Sequence, residues 1–228
     1  MIEIRSLFFN YETLALLKGV DMKLQRGERL ILSGASGIGK STLLRLIAGL
    51  ELPQSGEIVI DTVPMNDGGK IVPPYERSLG IVFQEPSLWP HMSVEAHLEF
   101  VSKNPHKQER REEIRHLLKI CKLDILAHRV PSELSAGQAE RLSIARALAA
   151  QPHYLIMDEP FANLDPKTKS EMVEVILSES KRLNAALLLI THDEREASLI
   201  GGQQLWMREG KLWQEKEIKP SPFRSNSE

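Results

Sequence analysis

The chain is short of several things, and each shortage excludes a class. It has one cysteine in 228 residues, so no disulfide can close within it. That residue, Cys121, continues the apolar pattern Ile114, Leu117, Leu118, and reads as a buried helical position rather than a reactive thiol. Neither charge sign dominates: 29 Lys and Arg against 31 Asp and Glu leave a formal net charge of −2. The strongly basic face of a general nucleic-acid binder is therefore missing, and no nucleic acid is expected as a partner. Long apolar runs are missing too. Ala185 to Ile190 is far too short to cross a bilayer. Met1-Ile2-Glu3-Ile4-Arg5 opens directly on strand-like alternation, without the apolar core of a signal peptide. There is no internal repeat.

What remains is ordinary for a folded protein, with 42% hydrophobic and 26% charged residues. The length suits one sizeable α/β core with a small inserted lobe. Over residues 1–86, period-two segments (Ile2–Ile4, Val20–Leu24, Glu57–Asp61) alternate with turn signals such as Gln25-Arg26-Gly27-Glu28 and Pro53-Gln54-Ser55-Gly56. Residues 63–74 read as an exposed loop. From 87 to 150 the pattern is helical, and Lys107–Glu113 is a solvated helix face. Buried-strand runs return at Tyr154–Met157 and Leu187–Ile190 with a helix over 167–183 between them, β-α-β order that argues for a parallel sheet. The expectation is an α/β core from 1–86 and 151–218, an inserted helical subdomain at 87–150, and a disordered tail at 219–228.

Gly34-Ala35-Ser36-Gly37-Ile38-Gly39-Lys40-Ser41 fits GxxxxGK[ST], the phosphate-binding loop. It follows the strand-like Leu30-Ile31-Leu32 and precedes the helical Thr42–Ala48, the setting that motif requires. Glycines let successive N–H groups turn inward around phosphate oxygens, and the following helix adds its positive end. Lys40 is expected on the β- and γ-phosphates and the Ser41 hydroxyl on Mg²⁺. A nucleoside triphosphate is the expected ligand.

Leu155-Ile156-Met157-Asp158-Glu159 is a buried strand ending in two acids. Ligands of such sheets bind at carboxyl ends of strands, which makes Asp158 a candidate for Mg²⁺ and Glu159 a candidate base for the attacking water. Ser135 and Gln138 in Leu134-Ser135-Ala136-Gly137-Gln138 form an S-x-x-Q capping box before an apolar stripe. On these residues alone it is either a capped helix or an anion site.

Taken together these motifs resemble the ATP-binding subunit of ATP-binding cassette (ABC) transporters, over about residues 1–215. The order matches: phosphate loop 34–41, glutamine loop at Gln84, signature 134–138, second Walker motif 155–159, D-loop Ala162-Asn163-Leu164-Asp165, and switch histidine His192. The resemblance implies a P-loop NTPase core with a mostly parallel sheet, an N-terminal antiparallel β subdomain and the helical insertion. Tyr11 stands where the family stacks an aromatic on adenine. Nucleotide contacts are implied for 34–42 (Gly34 to Thr42), Ser135, Gly137, Gln138 and Asp165. Mg²⁺ contacts are implied for Ser41, Gln84 and Asp158, and catalytic roles for Lys40, Gln84, Glu159 and His192.

The family also implies two copies stacked head to tail around two ATP, each signature completing the partner's site. It further implies transmembrane permease subunits, a solute-binding protein in the complex, and a position on the cytoplasmic face of the membrane. Pro73–Arg77 and Gln84–Val94 look like importers of small solutes, and no Glu-Arg-Gly element precedes the signature as in many exporters. The C-terminal regulatory domain often found in such importers is not expected here. The rival readings are an exporter-type cassette and a soluble cassette ATPase of iron–sulfur assembly. The signature departs from the family at Ala136, where glycine is usual. That change is cheap in a helix and costly where φ must be positive.

Overall fold

The structure is a computed structural model, and it describes residues 1–214 apart from Thr13, Gly68 and Gly69. The expected tail at 219–228 lies outside the described residues. The chain runs β1 (Ile2–Tyr11), β2 (Leu14–Leu24), β3 (Arg29–Ser33), α1 (Lys40–Ala48), β4 (Ser55–Ile60), then short strands β5 (Val63–Pro64), β6 (Asn66–Asp67) and β7 (Lys70–Ile71). It continues through β8 (Leu79–Val82), α2 (Val94–Val101), α3 (Lys107–Ile120), α4 (Ala136–Ala149), β9 (Tyr154–Asp158) and α5 (Pro166–Leu183). The last described elements are β10 (Ala186–Ile190), α6 (Glu194–Ile200), β11 (Gln203–Arg208) and β12 (Lys211–Gln214).

The larger sheet has strand order β12-β11-β3-β10-β9-β8. All its neighbours pair in parallel except the edge hairpin β11–β12. Its central strands are apolar at almost every position because both faces are covered. Leu30, Leu32, Ile156, Leu188 and Ile190 join the β-rich cluster that holds Ile2, Ile4, Leu7 and α1. The alternating Ile31, Leu155, Met157, Leu187 and Leu189 join the cluster of α2, α3, α4 and α5. Antiparallel strands β2-β1-β4-β5 form the second sheet. The helices of the insertion leave the core between β8 and β9, which are themselves neighbours.

Two local expectations need correction. Residues 63–74 are not one exposed loop. Met65 is buried in the core, and the Asn66 side chain accepts from Ile58 N at 2.8 Å and donates to Gly56 O at 3.0 Å. A single apolar residue anchored by an amide leaves no periodic signal. Likewise β1 extends well beyond Ile4. Its buried residues switch from even positions (Ile2, Ile4) to odd ones (Leu7, Phe9) across an irregularity where Ser6 has φ 44°, and that bulge hides the alternation.

Candidate functional site

The sheet order assembles the site. Neighbouring strands β3, β10, β9 and β8 end, in that order, at the phosphate loop, at Thr191-His192, at Asp158-Glu159 and just before Gln84. Elements as far apart in sequence as Lys40 and His192 thus share one sheet edge because β10 inserts between β3 and β9. A cavity of about 520 Å³ at this edge is lined by Ser41, Gln84 and Asp158, together with Arg45, Leu50, Phe83, Glu85 and Ser87.

Within the loop, Gly34 sits at φ 150°, and a Cβ there would lie 2.7 Å from the Met207 carbonyl oxygen. Only glycine lets the loop leave β3 so close to β11. The Lys40 ammonium donates to Gly34 O at 2.8 Å and Ala35 O at 2.9 Å, so the loop folds around its own cation. Burial lowers the Lys40 pKa, against the pull of Glu159 and Asp158. Ser36, Gly37 and Ala35 are exposed, Ile38 is half-buried, and Gly39 caps α1. Ser41 is exposed on the first turn of α1, and Thr42 is buried beside it. Burial raises the Asp158 pKa. A hydrogen bond from Ser41 offsets part of this, while the charge of Glu159 adds to it.

Glu159 follows β9 at φ 47°, with its N–H donating to Ile190 O at 2.9 Å. That left-handed turn aims its carboxylate along the strand ends. Its Oε1 lies 2.7 Å from His192 Nδ1, and this hydrogen bond raises the His192 pKa.

Tyr11 stands at the end of β1 and is not brought into contact with these residues. The residue is 41% exposed, its ring set edge-on to Phe9 at 4.8 Å, and its hydroxyl donates to Glu51 at 3.1 Å. Phe9 is core, whereas Tyr11 keeps a face open to solvent.

The signature residues stand apart as well. Ser135 caps α4, its Oγ accepting from Gln138 N at 3.3 Å while Gln138 Oε1 accepts from Ser135 N at 2.8 Å. Ala136 is the first helical residue and has no positive φ, so replacing glycine there carries no backbone strain. Gly137 is different: a Cβ would lie 3.0 Å from Asn163 O and 3.2 Å from Leu164 Cδ2. Among the described residues, no hydrogen bond or ion pair joins 134–138 to 34–41. Asp165 caps α5, accepting from Lys167 N, Thr168 N and Thr168 Oγ1.

One residue that sequence reasoning passed over ties these parts together. Glu140, 2% exposed, accepts from Asn163 N at 2.9 Å and Asn163 Nδ2 at 2.7 Å, locking the signature helix to 162–165. Burial raises its pKa. The available signal was a charged residue at i+3 from Gly137 on the face shared with Ile144 and Leu148.

The family model described as ABC transporter matches residues 17–162, more than half of the chain. The sulfate/thiosulfate import ATP-binding protein CysA of Bradyrhizobium diazoefficiens is 38% identical over 220 residues, covering 93% of this chain and 62% of that protein. The putrescine transport ATP-binding protein PotG of Escherichia coli is 36% identical over 216 residues, covering 94% of this chain and 56% of that protein. The chain thus spans little more than half the length of these curated relatives. A bacterial ABC transporter cassette solved as a dimer is similar in fold, with TM-score 0.83 and 28% identity, over 93% of this chain and 96% of that one. A post-hydrolysis dimer of the same cassette, bound to ADP and Pi, also gives TM-score 0.83 at 28% identity, over 98% and 100% of the two chains. With its phosphate loop, acidic strand end and histidine on adjacent strands of one sheet, this chain belongs to the ABC transporter family, as an ATP-binding cassette.

Proposed function

We propose that the chain is the ATP-binding and ATP-hydrolysing subunit of an importer for a small solute. In this reading it works as a dimer around two ATP and drives separate transmembrane subunits. The observation that carries the reading is the convergence of Lys40, Ser41, Asp158, Glu159 and His192 at three adjacent parallel strand ends. Import is favoured because the relatives named above are import or transport ATP-binding proteins. No described helix is long and apolar enough to cross a membrane, so the membrane path would come from partner subunits. We place the cassette on the cytoplasmic face of that membrane, with a solute-binding protein completing the complex.

In this reading ATP phosphates replace the Gly34 and Ala35 carbonyls as partners of Lys40, and the phosphate loop N–H groups hold the β-phosphate. Ser41, Asp158 and Gln84 offer a hydroxyl, a carboxylate and an amide oxygen around one cavity, a hard-oxygen set that fits Mg²⁺. Bound there, Mg²⁺ would neutralise charge on the β- and γ-phosphates. No group of three or more His, Cys, Asp or Glu suited to a metal occurs among the described residues, so water and phosphate would complete the shell. Glu159 takes the proton of the attacking water, and His192, 2.7 Å away, orients that carboxylate and the γ-phosphate. Tyr11 offers its open face to adenine. Ser135, Gly137 and Gln138 meet the γ-phosphate held by the other copy, with Asp165 beside that junction.

The test is complementation. Lys40→Ala removes the phosphate clamp and Ser135→Arg blocks the cap of α4, so each alone should abolish ATP-driven dimerisation and turnover. Mixed, they form dimers in which one site carries both lesions and the other neither. Random pairing leaves about a quarter of sites intact, so single-turnover hydrolysis should recover to that order. No recovery from two folded variants would rule out the shared site.

A further inference from the structure

His192 is 74% exposed at its side chain, and its only described side-chain contact is with Glu159. Its two chain neighbours, Thr191 and Asp193, are by contrast tied down by hydrogen bonds. Thr191 is fully buried; its hydroxyl donates to Glu196 Oε2 at 2.6 Å and accepts from Asp193 N at 3.0 Å. The other oxygen of Glu196, whose side chain is 4% exposed, accepts from Lys169 Nζ at 2.5 Å. Lys169 also reaches Asp193 Oδ2 at 3.4 Å. Both residues flanking His192 are therefore held by one Lys–Glu pair that belongs to α5 and α6. We propose that Lys169 and Glu196 are positioning residues that set His192 against Glu159, with Thr191 as the joint.

Stability alone accounts poorly for such a pair. Removing two charges from water costs about as much as their attraction returns, and an apolar pair of similar size often does as well. What such a pair, with Glu196 buried and Lys169 partly so, does supply is fixed register, and here the register is that of the segment bearing His192. Lys169 lies one turn into α5, its N–H bonded to Asp165 O at 2.8 Å. A displacement of 162–165, such as a second copy would impose, is therefore passed by Lys169 to Thr191 and Asp193. The inference rests on the role given to His192 above.

The experiment measures ATP turnover and KM in the full chain. Lys169→Met and Thr191→Val should lower kcat by about ten- to a hundredfold, the size of effect that an ångström of misplacement has. KM for ATP should move less than about twofold, because the phosphate loop is untouched. Thr191→Val keeps shape and guards against a Lys169→Met variant that does not fold. Lys169→Arg and Thr191→Ser, which keep charge and hydroxyl, should stay within about threefold of the parent. In a His192→Ala background, Lys169→Met should add little further loss, since coupled residues are not additive. A full multiplicative loss there, or parent-like kcat in Thr191→Val, would overturn the inference. Parent-like turnover of His192→Ala would overturn the role of His192 and this inference with it. A slow His192→Ala beside parent-like Lys169→Met and Thr191→Val would overturn this inference alone.

Discussion

Lys40, Asp158, Glu159 and His192 sit at the ends of strands buried on both faces, whereas Ser135, Gly137 and Gln138 open a helix of the inserted segment. The first group is positioned by backbone pairing, which fixes three strand ends at once. Ser135 and Gln138 are positioned by one cap and Gly137 by one close approach, on a helix that is itself packed in the core through Leu142, Ile144 and Leu148 and tied to 162–165 by the Glu140–Asn163 pair. The strand-end half carries the reactive groups and a cation already in place. The signature half offers a hydroxyl, N–H groups and a helix terminus, and no titrating group. Reactive groups on one side and an uncharged anion contact on the other are the parts that the proposed site shared between two copies would need.

The comparison breaks most visibly at Glu159. Glu159→Gln should leave ATP binding intact and lower hydrolysis by about 10²–10⁴-fold, the range for loss of a general base. ATP-loaded dimers should then accumulate, measurable by size-exclusion chromatography with bound nucleotide. Hydrolysis within a few-fold of the parent would move the base elsewhere and remove the chemical distinction between the halves.

Tyr11 extends the strand-end half toward the base of the nucleotide. Tyr11→Ala should weaken ATP binding by about 1–3 kcal/mol and Tyr11→Trp should be tolerated, because the π-face does the work. Isothermal titration gives the affinity and apo melting gives the control. Lower apo stability with unchanged affinity would make Tyr11 a packing residue.

Within the signature, two adjacent positions should both lose stability, one from an added methyl and the other from a removed one. Gly137→Ala brings a methyl to 3.0 Å from Asn163 O and 3.2 Å from Leu164. Overpacking of about 1–3 kcal/mol is set against a helix gain of up to about 1 kcal/mol, so a net loss is expected. Ala136→Gly meets no such neighbour and should cost about 0.5–1 kcal/mol of helix stability at most. Urea denaturation of both variants decides it. Equal effects would mean that 163–164 can give way, and that the two halves are less firmly joined than the contacts imply.

The strand-end half was the more legible from sequence, for a physical reason. A phosphate loop and an acidic strand end are local patterns, each bounded by a continuous apolar run that only a two-sided sheet requires. The order of those strands, with β10 between β3 and β9, is a long-range choice that local residues do not encode. Strands β11 and β12 leave no clear sequence signal. They carry alternation broken by the turn at Glu209-Gly210 and lie at the sheet edge. Glu140, Lys169 and Glu196 look like surface charges in a helix pattern, and find their partners only when α4 meets 162–165 and α5 meets α6. Ala136 was ambiguous until its place inside α4 made positive φ unnecessary.

The smallest effect separates the halves by pH. Its hydrogen bond to Glu159 raises the His192 pKa above the ordinary value. The folded state therefore favours the protonated ring. The resulting stability is complete below the unfolded-state pKa and is lost as pH rises through the higher folded value. Because His192 is exposed, solvent screening keeps that contribution small. The titration itself is the better readout. Nuclear magnetic resonance of the His192 ring should place its midpoint above the unperturbed value near about 6.5, and Glu159→Gln should bring it back down. Ser135, Gly137 and Gln138 have nothing to titrate, so nucleotide-driven dimerisation measured in the same pH range should follow the strand-end groups, not the cap of α4. An unshifted His192 midpoint, with Glu159 intact, would mean that the contact is not held in solution. The orientation of the base would then have to be supplied from the signature side, after the second copy arrives.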